Sequence, residues 1–261
     1  VNGLYNTEIP RDMIKGDISA IAVTEEEHES AAYYGMNMST NVYHYGADNF
    51  NGKTVYLTRS VDMGGIYDSS SGTWTGEHNY MPIGGEYLID IYDRKTKLSS
   101  SFNGTFDGQG FTVANIYCER YNPGANYGDG SSVGLFGRIG VHDNDPVSLR
   151  AYQPTVRNVI VTGYISARRS VGGIVGKTGK TQYNNYPSSG FGSLIECCAN
   201  YATIKGTDAK GTAGICGAAW NGGIIRNCYN MGSVTSSYAG PCGGIAGYNE
   251  NTIINCYNVG Q

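Results

Sequence analysis

The segment Ile-Ile-Arg-Asn-Cys-Tyr-Asn at 224–230 returns as Ile-Ile-Asn-Cys-Tyr-Asn at 253–258. An earlier copy reads Ile-Glu-Cys-Cys-Ala-Asn from Ile195, and one earlier still reads Val-Arg-Asn-Val-Ile-Val from Val156. A second pattern recurs between the copies: Gly-Leu-Phe-Gly at 134–137, Gly-Ile-Val-Gly at 173–176, Gly-Ile-Cys-Gly at 214–217 and Gly-Ile-Ala-Gly at 244–247. Motif pairs returning every 28 to 41 residues signal a repeat architecture, in which no unit buries its apolar face alone and stacked units do. The segments within each repeat are short, apolar and bounded by glycine corners, so they read as strands. The fold class is therefore all-β, and the expected architecture is a β-solenoid, a single-stranded parallel β-helix. The longer repeats carry their excess in polar Tyr/Asn/Pro-rich stretches such as 178–193, which have no regular period and read as loops.

Composition agrees with many short strands and turns. The 261 residues include 39 Gly, 23 Asn and 22 Tyr, with only 15% charged. The net charge of −4 is mild and has no long single-sign run, which argues against nucleic acid, since phosphate binding needs a clustered basic face. No apolar run approaches the roughly 20 residues of a membrane span, so no membrane insertion by this chain is expected. Val1 is not an initiator Met, and a mature or trimmed chain is expected. Seven cysteines leave at least one unpaired within a chain and do not describe a disulfide-built mini-domain.

Upstream of the repeats, Lys-Thr-Val-Tyr-Leu-Thr from Lys53 alternates as a strand, and Phe102 to Val113 carries its own turn glycines. Thr24 and Glu27 form a capping box leading into Ser30-Ala-Ala-Tyr-Tyr, which predicts a short helix. Residues 1–48 are accordingly assigned to an N-terminal cap over the open end of the first coil, and 49–261 to one continuous stack.

At this point the residues resemble a known class. The runs "NFNGKTVYLTRSVDM", "MPIGG", "FNGTFDGQGFTVANI" and "VGLFG" resemble the opening coils of bacterial cell-surface right-handed parallel β-helix proteins. From about residue 131 the units "GGIVG", "AGICG…IIRNCYNMGSV" and "CGGIAG…IINCYNVG" are similar to GLUG repeats. The resemblance covers roughly 49–261 and implies a right-handed coil and a secreted or cell-surface location. It says little of function, because such coils occur in adhesins and beside peptidase or glycosidase modules alike.

Aligned repeats place Val159, Cys198, Cys228 and Cys256 in one column. Valine there shows that the column takes a medium-sized apolar group. Neighbouring coils lie about 4.8 Å apart, so a disulfide between them is not forbidden, but parallel Cβ vectors suit it poorly. Zinc needs convergent tetrahedral ligands, whereas this column offers a line of sulfurs and all four histidines precede residue 145. The cysteines are therefore expected to be buried core groups, with no metal and no cofactor. A Cys216–Cys242 bridge is left open. Ile225 and Cys228 are three apart and can both point inward only if the chain bends between them. Asn158, Asn227 and Asn255 stand at that bend, where asparagine best tolerates the left-handed region. Their amides are expected to stack from coil to coil, with Cys197 interrupting the column.

β-Helix folds also carry lyases and glycosidases, which need paired carboxylates or an acidic cluster with a base. The candidates are Asp90, Asp93, Asp107 and Glu119, with Asp143 and Asp145 reading as a solvated loop. Asp107 lies in Phe-Asp-Gly-Gln-Gly, where a turn aspartate is the favoured reading, and none of the acids recurs on adjacent coils. The expectation is thus a non-catalytic exported adhesion or spacer module meeting glycan or a host or bacterial surface protein. The alternative is a carbohydrate-active enzyme with its cleft along Asp90–Glu119. Tyr121, Tyr127, Tyr183 and Tyr186, in the loops 120–130 and 178–193, are the expected contact residues. Tyr229 and Tyr257 are expected to form an exterior ladder.

Overall fold

Four parallel sheets take up the recurring segments, and the chain visits them in the same order again and again. A computed structural model describes residues 14–16, 50, 52–77, 80, 82–88, 97–120, 132–140, 153–179, 192–207, 210–220, 222–237 and 239–261, with backbone alone for 14–16, 85–88 and 97–100. Among these residues the regular structure is all strand, with no helix. The helix expected at 24–34 and most of the cap assigned to 1–48 lie outside them. The described part of that cap, Ile14–Gly16, is a strand running antiparallel to Thr54–Leu57.

Beyond Ile14–Gly16, sheet A stacks Thr54–Leu57, Thr105–Asp107, Thr155–Arg157, Leu194–Glu196, Ile224–Arg226 and Thr252–Ile254 in that order. Sheet B follows each of these after a corner. It holds Val61–Asp62, Thr112–Arg120, Ile160–Ala167, Ala199–Asn200 with Thr203–Gly206, Tyr229–Asn230 with Val234–Ser236, and Tyr257–Asn258. Sheet C contains Ser132–Val133, Ser170–Gly172, Thr212–Ala213 and Cys242–Gly243. Sheet D contains Phe136–Ile139, Val175–Thr178, Cys216–Ala219 and Ala246–Asn249. We call each circuit from sheet A back to sheet A a pass. Five passes and the start of a sixth are described, and equivalent residues pair in parallel: Val156 with Ile195, Ile195 with Ile225, Ile225 with Ile253.

The first pass is interrupted twice. The hairpin Ile66–Asp68 with Thr73–Thr75 leaves sheet B after Gly65, whose N–H donates to Asn115. The pass resumes at Tyr80, whose N–H donates to Tyr117. A second hairpin, Gly85–Leu88 with Lys97–Ser100, is inserted between Ile83 and Phe102, which both bridge to the Phe136–Ile139 strand.

The bend between sheets A and B is made by left-handed residues. Asn158, Asn227 and Asn255 have φ of 55°, 53° and 49°, and Cys197 holds the same place at 52°. This turn brings both flanking residues inward, so Ile225 and Cys228 are each fully buried. The Gly-Ile-x-Gly motif has a second cause. A side chain at Gly173, Gly214 or Gly244 would run into Asn200, Asn230 or Asn258 of the next pass, so sheets B and C approach too closely there for a Cβ.

The core changes along the stack. At the N-terminal end Phe50, Phe102, Phe106 and Phe136 interlock, with ring centroids 5.0 to 5.5 Å apart. Later passes are filled by valine, isoleucine, alanine and cysteine.

Candidate functional site

Three groups of side chains carry the chemistry of the described residues: the charged outer column of sheet A, the polar and sulfur columns inside, and the tyrosines outside sheet B.

From the second pass on, the last residue of each sheet A strand points outward, and register aligns Asp107, Arg157, Glu196 and Arg226. The column alternates in sign. Arg157 Nε donates to Asp107 Oδ2 at 3.0 Å, and Arg226 donates to Glu196 Oε2 through Nε at 2.8 Å and a terminal nitrogen at 2.6 Å. Asp107 also accepts from the Asn158 amide and from the Gln109 N–H, both at 2.9 Å. Burial alone would push its carboxyl up, but the Asn158 amide, the Gln109 N–H and Arg157 outweigh burial and hold it below the usual carboxylate range. Asp107 therefore fastens the corner of one pass to the next. Glu119, on the outer side of sheet B, accepts from Tyr117 Oη at 2.9 Å. With burial, that bond pushes the Tyr117 hydroxyl up to about 12. Asp90 and Asp93 lie outside the described residues.

Inside, Cys198 and Cys228 are fully buried beneath Val159, and Cys256 is half-buried below them. Each thiol donates to the carbonyl two residues back, at 3.2 Å: Cys198 to Glu196, Cys228 to Arg226 and Cys256 to Ile254. Contact with Cys198 is the main influence raising the Cys228 thiol, and contact with Cys228 does the same to Cys256. Burial pushes Cys216 up to about 12. All seven cysteines are free; Cys216 is buried and Cys242 exposed, so the bridge left open between them is not formed. Among the described residues no group of three His, Cys, Asp or Glu side chains is placed to hold a metal ion.

The corner asparagines behave differently from one another. Asn255 donates to Asn227 Oδ1 at 3.4 Å, whereas Asn158 turns to Asp107. The continuous amide ladder lies elsewhere, at the second asparagine of each motif. Asn200 and Asn230 are fully buried. Asn200 Nδ2 donates to Asn230 Oδ1 at 2.7 Å, and Asn230 Nδ2 to Asn258 Oδ1 at 2.6 Å. Each amide also meets backbone two residues on: Asn200 donates to Ala202 O and accepts from its N–H, and Asn230 does the same with Gly232. The ladder starts where Val161 gives way to Asn200 in register. That switch in an inward column is the signal in the sequence that could have revealed it.

Outside sheet B, Tyr229 and Tyr257 stack at 5.2 Å with planes 6° apart. Tyr201 meets Tyr229 edge-on at 5.9 Å, with their hydroxyls 3.1 Å apart. One pass earlier in the stack, Tyr164 lies over Tyr117 at 6.2 Å. On sheet D, Trp220 stacks on Tyr248 at 4.2 Å, and the Tyr248 hydroxyl donates to Glu250. The loop tyrosines Tyr121, Tyr127, Tyr183 and Tyr186 lie outside the described residues.

With this geometry in place, comparison with known proteins gives one structural likeness. A solved Bacteroides ovatus structure, described as a candidate immunoglobulin A1 protease, matches with 22% identity and a TM-score of 0.47, covering 80% of this chain and 62% of that one. No protein-family model matches the chain, and neither does any curated protein.

Proposed function

We propose that the chain is a right-handed parallel β-solenoid from an exported bacterial surface protein, with GLUG-like repeats from about residue 131, and that it serves binding or display rather than catalysis. Its partners are glycans or surface proteins, met through outward aromatic side chains and the loops bearing Tyr121, Tyr127, Tyr183 and Tyr186. The observation that carries this reading is the commitment of carboxylates to their own neighbours. Asp107 is held by Arg157, Asn158 and Gln109, Glu196 by Arg226, and Glu119 by Tyr117. Asp62 is likewise held by Gly64 and Asn115, and Glu250 by Tyr248. A hydrolytic pair needs two carboxylates facing each other across a gap of roughly 5–10 Å, one kept protonated by its surroundings. Asp107 is driven the opposite way, towards its charged form.

The test incubates the full chain with a panel of polysaccharides and surface proteins and scores both retention and new reducing ends. Retention without new ends is expected. New ends that disappear on Asp90→Asn or Asp107→Asn replacement would overturn the reading in favour of a carbohydrate-active enzyme.

A further inference from the structure

Successive passes each place one tyrosine on the outer face of sheet B: Tyr117, Tyr164, Tyr201, Tyr229 and Tyr257 in the second to sixth passes. Alternation along the strands sets this face. Val161 and Ile165 point inward and are fully buried, while Tyr164 between them is half-exposed. Tyr164 pairs in register with Thr203, two positions beyond Tyr201, and Tyr229 pairs with Ala199, two positions before it, so the five rings step obliquely across three neighbouring columns of one face. The first-pass hairpin, which carries Tyr67 on Trp74, continues the aromatic surface, because its following residue Gly76 lies directly against the Tyr117 ring. Tyr201 and Tyr257 are 46% and 55% exposed.

We propose that this row seats a linear, uncharged glycan lying along the stack. The inference rests on the binding reading above and names its ligand class and surface. Three features select that occupant. Spacing of about 4.8 Å per pass stretches the row over about 20 Å, a length suited to several linked sugars rather than one. The rings number one per pass and form an oblique track, flanked in the last two passes by the exposed Met231 and Val259. Such a track fits an extended chain better than the broad, desolvated patch of a protein interface. Charge is balanced: in passes two to six the described outward positions of sheet B carry one carboxylate, Glu119, and one ammonium, Lys205, and are otherwise uncharged. An anionic polymer would need a basic row there. The ring surface that these stacks leave uncovered packs against the C–H faces of pyranoses, while the paired hydroxyls of Tyr201 and Tyr229 offer donors and acceptors to sugar hydroxyls.

The experiment is affinity electrophoresis of the full chain in gels containing mixed-linkage β-glucan, galactomannan or xylan, beside heparin and polygalacturonate. Retardation by at least one neutral polymer, insensitive to salt, is expected. Tyr201→Ala and Tyr257→Ala should each weaken it about 2- to 10-fold, with Tyr201→Phe and Tyr257→Phe losing less. Should the alanine variants fail to fold by circular dichroism, glycan-induced change in tyrosine absorbance of the unaltered chain reads the same contact, and no change overturns the proposal. Neutral-glycan binding untouched by both alanine variants overturns the row but leaves the binding reading intact. Retardation by the anionic polymers alone, lost with salt, or retention of a protein ligand alone, does the same. New chain ends would instead overturn the binding reading itself.

Discussion

The first two passes and the last three solve the same packing problem by opposite means. Near the N-terminus the core is held by interlocking shape: Phe50, Phe102, Phe106 and Phe136 meet at different angles, from 38° to 70°, and two hairpins interrupt the pass above them. Near the C-terminus the core is held by repetition: isoleucine over isoleucine, thiol over thiol, amide over amide. Identical groups in register can extend a hydrogen-bond ladder indefinitely, which interlocked rings cannot do. Interlocked rings bury more surface per residue and can absorb an irregular first pass. In a stack whose units contact only their neighbours, the two regimes should respond to damage separately.

That separation can be broken in four ways, taken from the largest effect. Phe106→Ala should cost about 3–5 kcal/mol by opening a cavity among the rings. Hydrogen exchange should then quicken in Thr105–Asp107 and Thr155–Arg157 while the amides around Tyr229 and Tyr257 stay protected; equal loss throughout would refute two regimes. Asn230→Ala should cost about 3 kcal/mol, because it strands the buried Asn200 amide and the backbone of Gly232 without partners, and chemical denaturation measures this directly. Cys228→Ser should cost ~1–3 kcal/mol by placing a hydroxyl in a sulfur-sized slot between two thiols. In the unaltered chain, Cys197 and Cys242 should label quickly with a thiol reagent, and Cys118, Cys198, Cys216 and Cys228 only in denaturant; a fast Cys228 would show the ladder to be open.

The smallest effect is electrostatic. The Asp107 carboxyl lies below its unfolded value near 3.9, so its contribution is complete above about pH 4 and fades as pH falls through the lower folded value. Asp107→Asn should flatten the acid limb of a stability–pH curve and leave the neutral region close to level. A curve unchanged in its acid limb would show that the carboxylate does not fasten the two passes.

The repeat and its bend were legible in the sequence because each leaves a one-dimensional trace: glycines at fixed places, and apolar residues three apart with a left-handed asparagine between them. Two features were not. The second asparagine of each motif carries no local sign of burial, and only its alignment with Val161 shows that Asn200, Asn230 and Asn258 face inward. The alternation Asp107, Arg157, Glu196, Arg226 involves residues 50, 39 and 30 positions apart, invisible until parallel register brings them side by side. The partners of Asp107 are hidden for a related reason. Asp107 was singled out as a carboxylate, but its three donors come from the same turn and from the next pass. Of the outward tyrosines, Tyr229 and Tyr257 were expected as a ladder; Tyr117, Tyr164 and Tyr201 were passed over because sequence reading favoured the long stretches where tyrosines cluster locally over one tyrosine per pass on a flat face.

The contact between each motif glycine and its asparagine has a consequence for how such a chain can change. Gly173 meets Asn200 after 27 residues, Gly214 meets Asn230 after 16, and Gly244 meets Asn258 after 14. The partners stay fixed while the segment joining them nearly doubles in length. Added residues there lengthen the connection while the glycine and its asparagine keep their contact, so new surface can be grafted onto a pass while the register that holds the stack is inherited unchanged.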